Sequence, residues 1–150
     1  MFSEKQLIIA KRFLSRAPHF HALGVELLAM DKGYCQMQLE YRQDLVGNPA
    51  TGVVHGGVMT TLLDSVCGLS VFASLNQMRP VATLDLRIDY LKPATPMHTI
   101  IAEARVDKMT RTVAFVSGLA YHSQASDPIA RASASFMVNS VGPNPKLDTQ

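Results

Sequence analysis

The chain has 150 residues, of which 47% are hydrophobic and 17% charged, a composition typical of a single globular domain that folds without metals or disulfides. Its formal net charge of +2 is too small to indicate a nucleic-acid-binding protein, and we expect no stretch apolar enough to cross a membrane. Because the N-terminus reads Met1-Phe2-Ser3-Glu4-Lys5, which lacks the order of a secretory signal, we expect a cytoplasmic protein without nucleic-acid or membrane partners.

The first predicted elements are a helix and a hairpin. Apolar residues recur at helical spacing from Ser3 to Ser15, with Ser3 as the N-cap, and the pattern stops before Pro18, which predicts an amphipathic helix. Strand-like runs at Val25–Met30 and Tyr34–Tyr41 flank the turn Asp31-Lys32-Gly33 and predict a β-hairpin.

A long apolar segment follows a predicted polar loop at Arg42–Gly52. Between Gly56 and Leu75 the chain has no proline and a single charged side chain, Asp64. The apolar residues of this segment cover nearly every direction around a helix, which is typical of a buried helix. We therefore place this helix at the centre of the fold.

Four strands are predicted after the apolar helix, at Val81–Tyr90, His98–Lys108, Thr112–His122 and Ile129–Val138. Antiparallel hairpins around one buried helix correspond to an α+β fold. We expect one domain over residues 1–140 and a loose tail over residues 141–150, which contain two prolines and few apolar residues.

Asp64 is the first candidate for chemistry. An ionised carboxylate in the middle of an apolar helix is costly without partners, and at this position it neither caps the helix nor forms a surface ion pair. The structural alternative is an Asp bonded to Ser65, Thr60 or Thr61. Because a buried acid without a structural role is typical of functional sites, we predict that Asp64 is catalytic.

The triplet His55-Gly56-Gly57 at the start of this helix is the second candidate. The first N–H groups of a helix have no intrahelical acceptor, and the helix dipole favours negative charge there. The glycines would let a carbonyl oxygen approach these N–H groups, although tight helix packing explains the triplet equally well when it is taken alone. His55 fits a structural hydrogen bond at the helix start better than a role as general base.

The spacing between the two candidates has a consequence for assembly. Gly57 and Asp64 are seven positions apart, which separates them by about 10 Å along a helix axis. One carbonyl cannot easily contact both residues. If both act on it, the acid comes from a second, antiparallel copy of the helix, and the site is shared across a two-fold dimer.

Other reactive residues have weaker signals. Cys67 lacks an evident neighbouring base, and Ser65 lacks the GxSxG setting of a hydrolase nucleophile. Cys35 and Cys67 are expected to be reduced, buried thiols. The remaining histidines are scattered, so we predict neither a metal site nor a cofactor; they are His19, His21, His98 and His122.

Two runs resemble a known family. The run from Asn48 to Asp64, NPATGVVHGGVMTTLLD, resembles the signature of PaaI-like hotdog thioesterases of the phenylacetate-pathway type. The run from Ala82 to Ala94, ATLDLRIDYLKPA, is similar to the strand that follows the central helix in that family. The similarity covers most of residues 18–140. It implies a hotdog fold, homodimers joined edge to edge, a homotetramer of two such dimers, and hydrolysis of an acyl-CoA thioester to free acid and CoA.

The resemblance also implies roles for individual residues. The Gly57 N–H would polarise the thioester carbonyl, Asp64 would reach in from the partner subunit, and His55 would brace the loop. Asn48 matches the residue that helps to hold the nucleophilic water, and Thr83 matches a hydroxyl that often assists.

The expected substrate contacts of the acyl group are Gly56, Val58, Met59 and Leu62. Lys92 and Arg111 are candidate contacts for the CoA phosphates, whereas Arg87 is better explained as a solvated charge. The acyl group, the choice between CoA and an acyl carrier, and the choice between Asp64 as base or as nucleophile stay open.

Two alternative functions are open. A hotdog hydratase or dehydratase would need a differently arranged histidine and acid, which the sequence does not contain. A non-catalytic acyl-CoA-binding or regulatory module would not need Asp64 and would usually carry a fused DNA-binding helix pair.

Overall fold

The computed structural model describes residues 4–76 and 79–138. The elements in chain order are α1 (Glu4–Ser15), α2 (Pro18–Leu23), β1 (Val25–Asp31), β2 (Tyr34–Leu39), a 3-10 turn (Gln43–Leu45), β3 (Val46–Asn48), β4 (Val53–Val54), α3 (Gly56–Ser74), β5 (Val81–Tyr90), β6 (Ile100–Met109), β7 (Val113–Tyr121) and β8 (Ala130–Val138). The predicted N-cap Ser3 and the predicted tail at 141–150 lie outside the described residues.

One antiparallel sheet dominates the fold. Its six strands follow the order β1-β2-β6-β7-β8-β5, and α3 packs against every one of them. The short strands β3 and β4 pair separately, beside the N-terminus of α3. This arrangement confirms the predicted α+β hotdog fold, with the sheet wrapped around a long central helix.

Small side chains let α3 approach the middle of the sheet. The inward positions of β6, β7 and β8 are largely alanine, all of them buried: Ala102, Ala104, Ala114, Ala120, Ala130, Ala132 and Ala134. At Gly118 even one added methyl group would lie 3.0 Å from the Cys67 sulfur. Helix and sheet are therefore in direct contact, and Leu62, Leu63 and Val66 are fully buried between them.

Among the helices of the described residues, α3 is long and apolar enough to cross a membrane by length and composition, with a mean hydropathy of 1.4. The expectation that no stretch reaches this composition is therefore wrong. The sheet covers much of the helix, which is how the core helix of a folded domain is placed.

Two features are absent from the sequence-based prediction. Pro18, beyond the predicted end of the first helix, is the first residue of the separate helix α2. The predicted polar loop at 42–52 contains the 3-10 turn, strand β3 and the turn into β4. The backbone N–H of His55 donates to the carbonyl of Leu45 at 2.9 Å and ties this segment to the start of α3.

Candidate active site

His55 caps the N-terminus of α3. Its backbone is extended, with φ −60° and ψ 137°, and its Nδ1 accepts a hydrogen bond from the Gly57 N–H at 2.8 Å. A neutral ring that accepts at Nδ1 carries its proton on Nε2. His55 therefore holds the helix start in place, and neither nitrogen of the neutral ring is free to take a proton from water.

Gly56 and Gly57 have different hydrogen-bond partners. The Gly57 N–H is engaged by His55, whereas within the described part of the chain no acceptor takes the Gly56 N–H. The Gly56 carbonyl accepts from the hydroxyls of Thr60, at 3.1 Å, and Tyr90, at 3.0 Å. The open donor at the positive end of the helix dipole is thus the Gly56 N–H, one residue before the predicted donor.

Asp64 is half-buried, and its Oδ1 accepts a hydrogen bond from the Thr83 hydroxyl at 2.9 Å. The hydroxyls of Thr60, Thr61 and Ser65 donate instead to backbone carbonyls one helical turn earlier. The partners that a structural Asp64 would need are therefore engaged elsewhere. Among the described residues no donor binds the second carboxylate oxygen, Oδ2.

Asn48 lies at the end of β3, close to the cap of α3. Its Oδ1 accepts from the Ala50 N–H at 3.0 Å, and its carbonyl accepts from the Gly52 N–H at 2.9 Å. The preceding residue, Gly47, passes so close to His55 that an added Cβ would lie 2.8 Å from the His55 Cα. The Asn48 amide Nδ2 has no acceptor in the described residues and remains available as a donor.

These residues form two groups within one chain. Asn48, His55 and Gly56 gather at the N-terminus of α3, whereas Asp64 lies with Thr83 eight residues further along the helix, about 12 Å from Gly56 along its axis. Strand β5 touches both groups, because Thr83 near its start binds Asp64 and Tyr90 at its end binds Gly56.

A groove of about 420 Å³ lies beside the N-terminus of α3. Its walls come from α2, the 3-10 turn, β3 and α3: His19, Leu23, Asp44, Leu45, Val46, His55, Gly57, Val58 and Thr61. Of the predicted acyl contacts, Val58 lines this groove, whereas Met59 and Leu62 are buried in the core. The contribution of α2 is missing from the prediction because that helix is missing from it.

The predicted phosphate contacts differ in their surroundings. The ammonium of Lys92 is paired with Asp127 at 2.5 Å on the surface. Arg111 instead lies in a second cavity, of about 430 Å³, at the C-terminal end of α3, together with Arg79, Ser74, Asn76 and Thr110. Within the described residues neither Arg79 nor Arg111 has an acidic partner. Arg87 forms an exposed pair with Asp89.

The other candidate nucleophiles are inert. Burial raises the pKa of Cys67 to about 12, and the nearby charges of Asp64 and Asp107 act in the same direction. Burial likewise raises the pKa of Cys35 to about 12. Both thiols stay protonated at neutral pH and are poor nucleophiles. Of the candidate side chains on α3, Asp64 is the one that is half-buried with an open oxygen atom.

Comparisons with known families and known proteins both find thioesterases. A family profile described as the thioesterase superfamily matches residues 51–128. The medium/long-chain acyl-CoA thioesterase YigI of Salmonella typhimurium is 28% identical over 144 residues, which cover 87% of this chain and 92% of that protein.

Solved structures share the fold. A crystal structure of a Pseudomonas aeruginosa protein is 41% identical with a TM-score of 0.78, and the match covers 87% of this chain and 97% of that one. The PaaI protein of Escherichia coli, from the phenylacetic acid degradation operon, has a TM-score of 0.78 at 18% identity over 90% of this chain and 92% of that one. At 18% identity the likeness concerns the fold alone.

Proposed function

The chain belongs to the thioesterase superfamily, and from that membership we propose that it hydrolyses acyl-CoA thioesters to a free acid and coenzyme A. The observation that carries this proposal is the half-buried Asp64 carboxylate, with one oxygen held by Thr83 and the other open. A carboxylate held in this way is oriented to accept a proton from an attacking water.

The two groups of residues have different roles in the reaction. Asp64 activates the attacking water, and the N-terminus of α3 stabilises the charge that develops on the carbonyl oxygen. Water attacks the carbonyl carbon while Asp64 takes its proton, and the carbonyl oxygen gains negative charge. The Gly56 N–H and the helix dipole stabilise that charge. Asn48 holds the water through its free amide N–H. The carbon–sulfur bond then breaks, and the leaving thiolate receives the proton from Asp64.

Two chains are needed to complete one site, because Gly56 and Asp64 of one chain lie about 12 Å apart along α3. Strand β5 is an edge of the sheet and is free to pair with a second copy of itself. Antiparallel pairing about an axis near Leu86 and Arg87 would bring each Thr83, and with it Asp64, close to the partner's Tyr90 and the partner's Gly56. We therefore propose a homodimer with two shared sites. We further propose that two such dimers associate as a tetramer.

The groove beside α3 supports an assignment of the acyl chain. Leu23, Leu45, Val46 and Val58 give it apolar walls at the helix end that presents the open donor. An aliphatic chain would lie in this groove with its carbonyl at Gly56. The YigI relative is named for medium and long acyl chains, and we propose the same substrate class here.

The decisive experiment measures thiol release from a series of acyl-CoA esters, from acetyl to palmitoyl. We expect the highest kcat/KM with medium and long chains. Asp64→Asn and Asp64→Ala should each lower kcat by about 10²- to 10⁴-fold, the usual contribution of a general base, without lowering the melting temperature.

Glu26→Gln is the matched control, because Glu26 is an exposed carboxylate on β1, the opposite edge of the sheet, and this variant should behave as wild type. Near wild-type rates in Asp64→Ala would refute the role of Asp64. Wild-type protein that binds acyl-CoA without releasing thiol would instead identify a non-catalytic binding module.

A further inference from the structure

The side chain of Tyr90 reaches the peptide group that links Gly56 to Gly57. Its hydroxyl lies 3.0 Å from the Gly56 carbonyl and 2.9 Å from the Thr60 hydroxyl, which itself lies 3.1 Å from the same carbonyl. The Tyr90 ring also covers Gly56, since an added Cβ there would meet the ring and its oxygen at 3.6 to 3.8 Å.

The two hydroxyls bring at least one proton to the Gly56 carbonyl. Each hydroxyl has one proton to donate. If Tyr90 donates to Thr60, then Thr60 is left to donate to Gly56, and if Thr60 donates to Tyr90, then Tyr90 donates to Gly56. The same peptide group is held at its other end, where the Gly57 N–H donates to His55. The orientation of the first turn of α3 is therefore set on both sides.

Core packing does not account for Tyr90, because 54% of its surface is exposed. The hydroxyl is instead directed at a helix end whose first N–H is open. Seven residues earlier on the same strand, Thr83 holds Asp64. Strand β5 thus carries one side chain that binds the carboxylate of Asp64 and one that binds the peptide group next to the open N–H donor.

We propose that Tyr90 is a positioning residue for thioester hydrolysis, which rests on the function proposed above. Its hydroxyl fixes the angle at which α3 presents the Gly56 N–H, so that the donor meets the oxygen of the transition state rather than the ground-state carbonyl. Interactions realised in the transition state alter kcat, whereas uniform binding alters KM.

The test is Tyr90→Phe, which removes only the hydroxyl. We expect kcat for the preferred acyl-CoA to fall about tenfold while KM changes less than about twofold, the pattern of a lost transition-state interaction. Thr60→Val should lower kcat in the same way, Thr60→Ser should restore it, and the double variant should lose less than the product of the two single losses because both hydroxyls serve one carbonyl.

Tyr121→Phe is the matched control, because the Tyr121 hydroxyl binds Glu103 on the outer face of the sheet and its removal should leave kcat unchanged. Melting temperature and dimer content are measured for every variant. An unchanged kcat in Tyr90→Phe, or a loss that merely parallels a loss of folded dimer, would overturn the role of Tyr90 alone. Absence of thiol release by wild type would overturn the proposed function together with it.

Discussion

At the scale of single residues, two adjacent glycines that look equivalent in sequence have different functions available to them. The Gly57 N–H is used internally by the His55 cap, and an added Cβ at Gly57 would lie 3.0 Å from the His55 Nδ1. Gly57 is thus needed for the cap to form, whereas the Gly56 N–H is open to a ligand. The hydrogen bond of His55 decides between the two glycines; the sequence favours such a bond at the helix start but does not show that the Gly57 N–H makes it.

Gly56→Pro tests the Gly56 N–H donor, because proline has no backbone N–H. Proline is favoured at the first position of a helix, and the preceding residue, His55, already has the extended backbone that proline requires of its neighbour, with φ −60° and ψ 137°. The variant should fold normally yet lose about 10²- to 10³-fold in kcat, as expected for removal of one oxyanion donor, measured by thiol release.

The control is Gly56→Ala, which keeps the N–H and places its Cβ in ordinary contact with Tyr90, at 3.6 Å. This variant should retain most of the wild-type kcat. Wild-type turnover in Gly56→Pro would show that the carbonyl is bound elsewhere.

At the scale of elements, helices and strands with a regular sequence pattern are predictable from sequence, whereas short elements that depend on tertiary contacts are not. The apolar run of α3 and the alternation in β5 to β8 predict these elements to within about two residues, because a long apolar run without proline indicates a buried helix and alternation indicates a strand. Helix α2 has only six residues, and its initial Pro18 has the same local signature as a helix stop. Strands β3 and β4 have three and two residues, and the hydrogen bond from His55 to Leu45 that ties the preceding turn to α3 is a contact that the sequence does not show.

The residues of the candidate site can likewise be separated into those that the sequence predicts and those that it does not. Asp64 is predictable from composition, since it is the single charge in an apolar helix. Tyr90 is not, because its partner Gly56 is 34 positions away and the residue fits the ordinary alternation of a strand. Arg79, beside Arg111, is missed for the same reason.

The C-terminal end of α3 supports a phosphate-binding role for this arginine pair. Ser74, in the same cavity, is ten residues beyond Asp64, about 15 Å along the helix axis, which an extended pantetheine arm can bridge. Arg79→Gln and Arg111→Gln should each raise KM for acyl-CoA about tenfold, the loss of roughly one charge-assisted hydrogen bond. Neither should alter KM for the matching S-acyl pantetheine, which lacks the phosphates.

Arg105→Gln is the control for this comparison, because Arg105 stacks on the Tyr34 ring and its removal should leave KM for both substrates unchanged. Equal increases in KM for acyl-CoA and for the pantetheine ester would place the phosphates elsewhere.

At the scale of the whole molecule, a single chain leaves the edge strand β5 unpaired. Large apolar side chains are exposed on or directly after this strand: Leu84 at 54%, Tyr90 at 54% and Leu91 at 50%. Open edges with apolar side chains invite pairing with another strand. In the proposed homodimer a second copy of β5 would pair with this edge and bring Asp64 of each chain towards the partner's Gly56, so that assembly and catalysis would depend on the same strand.

Mixed dimers test this dependence directly. Chains with Asp64→Ala and chains with Gly56→Pro carry different affinity tags and are co-refolded, and the doubly tagged dimers are purified. If each site takes its acid from one chain and its N–H donor from the other, a mixed dimer has one intact site and one doubly defective site. It should then show about half the kcat of a wild-type dimer, since one of two equivalent sites is restored. Dimers that combine Asp64→Ala with Asp64→Asn have no intact site in any arrangement and should stay inactive. Inactive Asp64→Ala/Gly56→Pro dimers would refute the shared site, because the intact site in this mixed dimer requires that the acid and the N–H donor come from different chains.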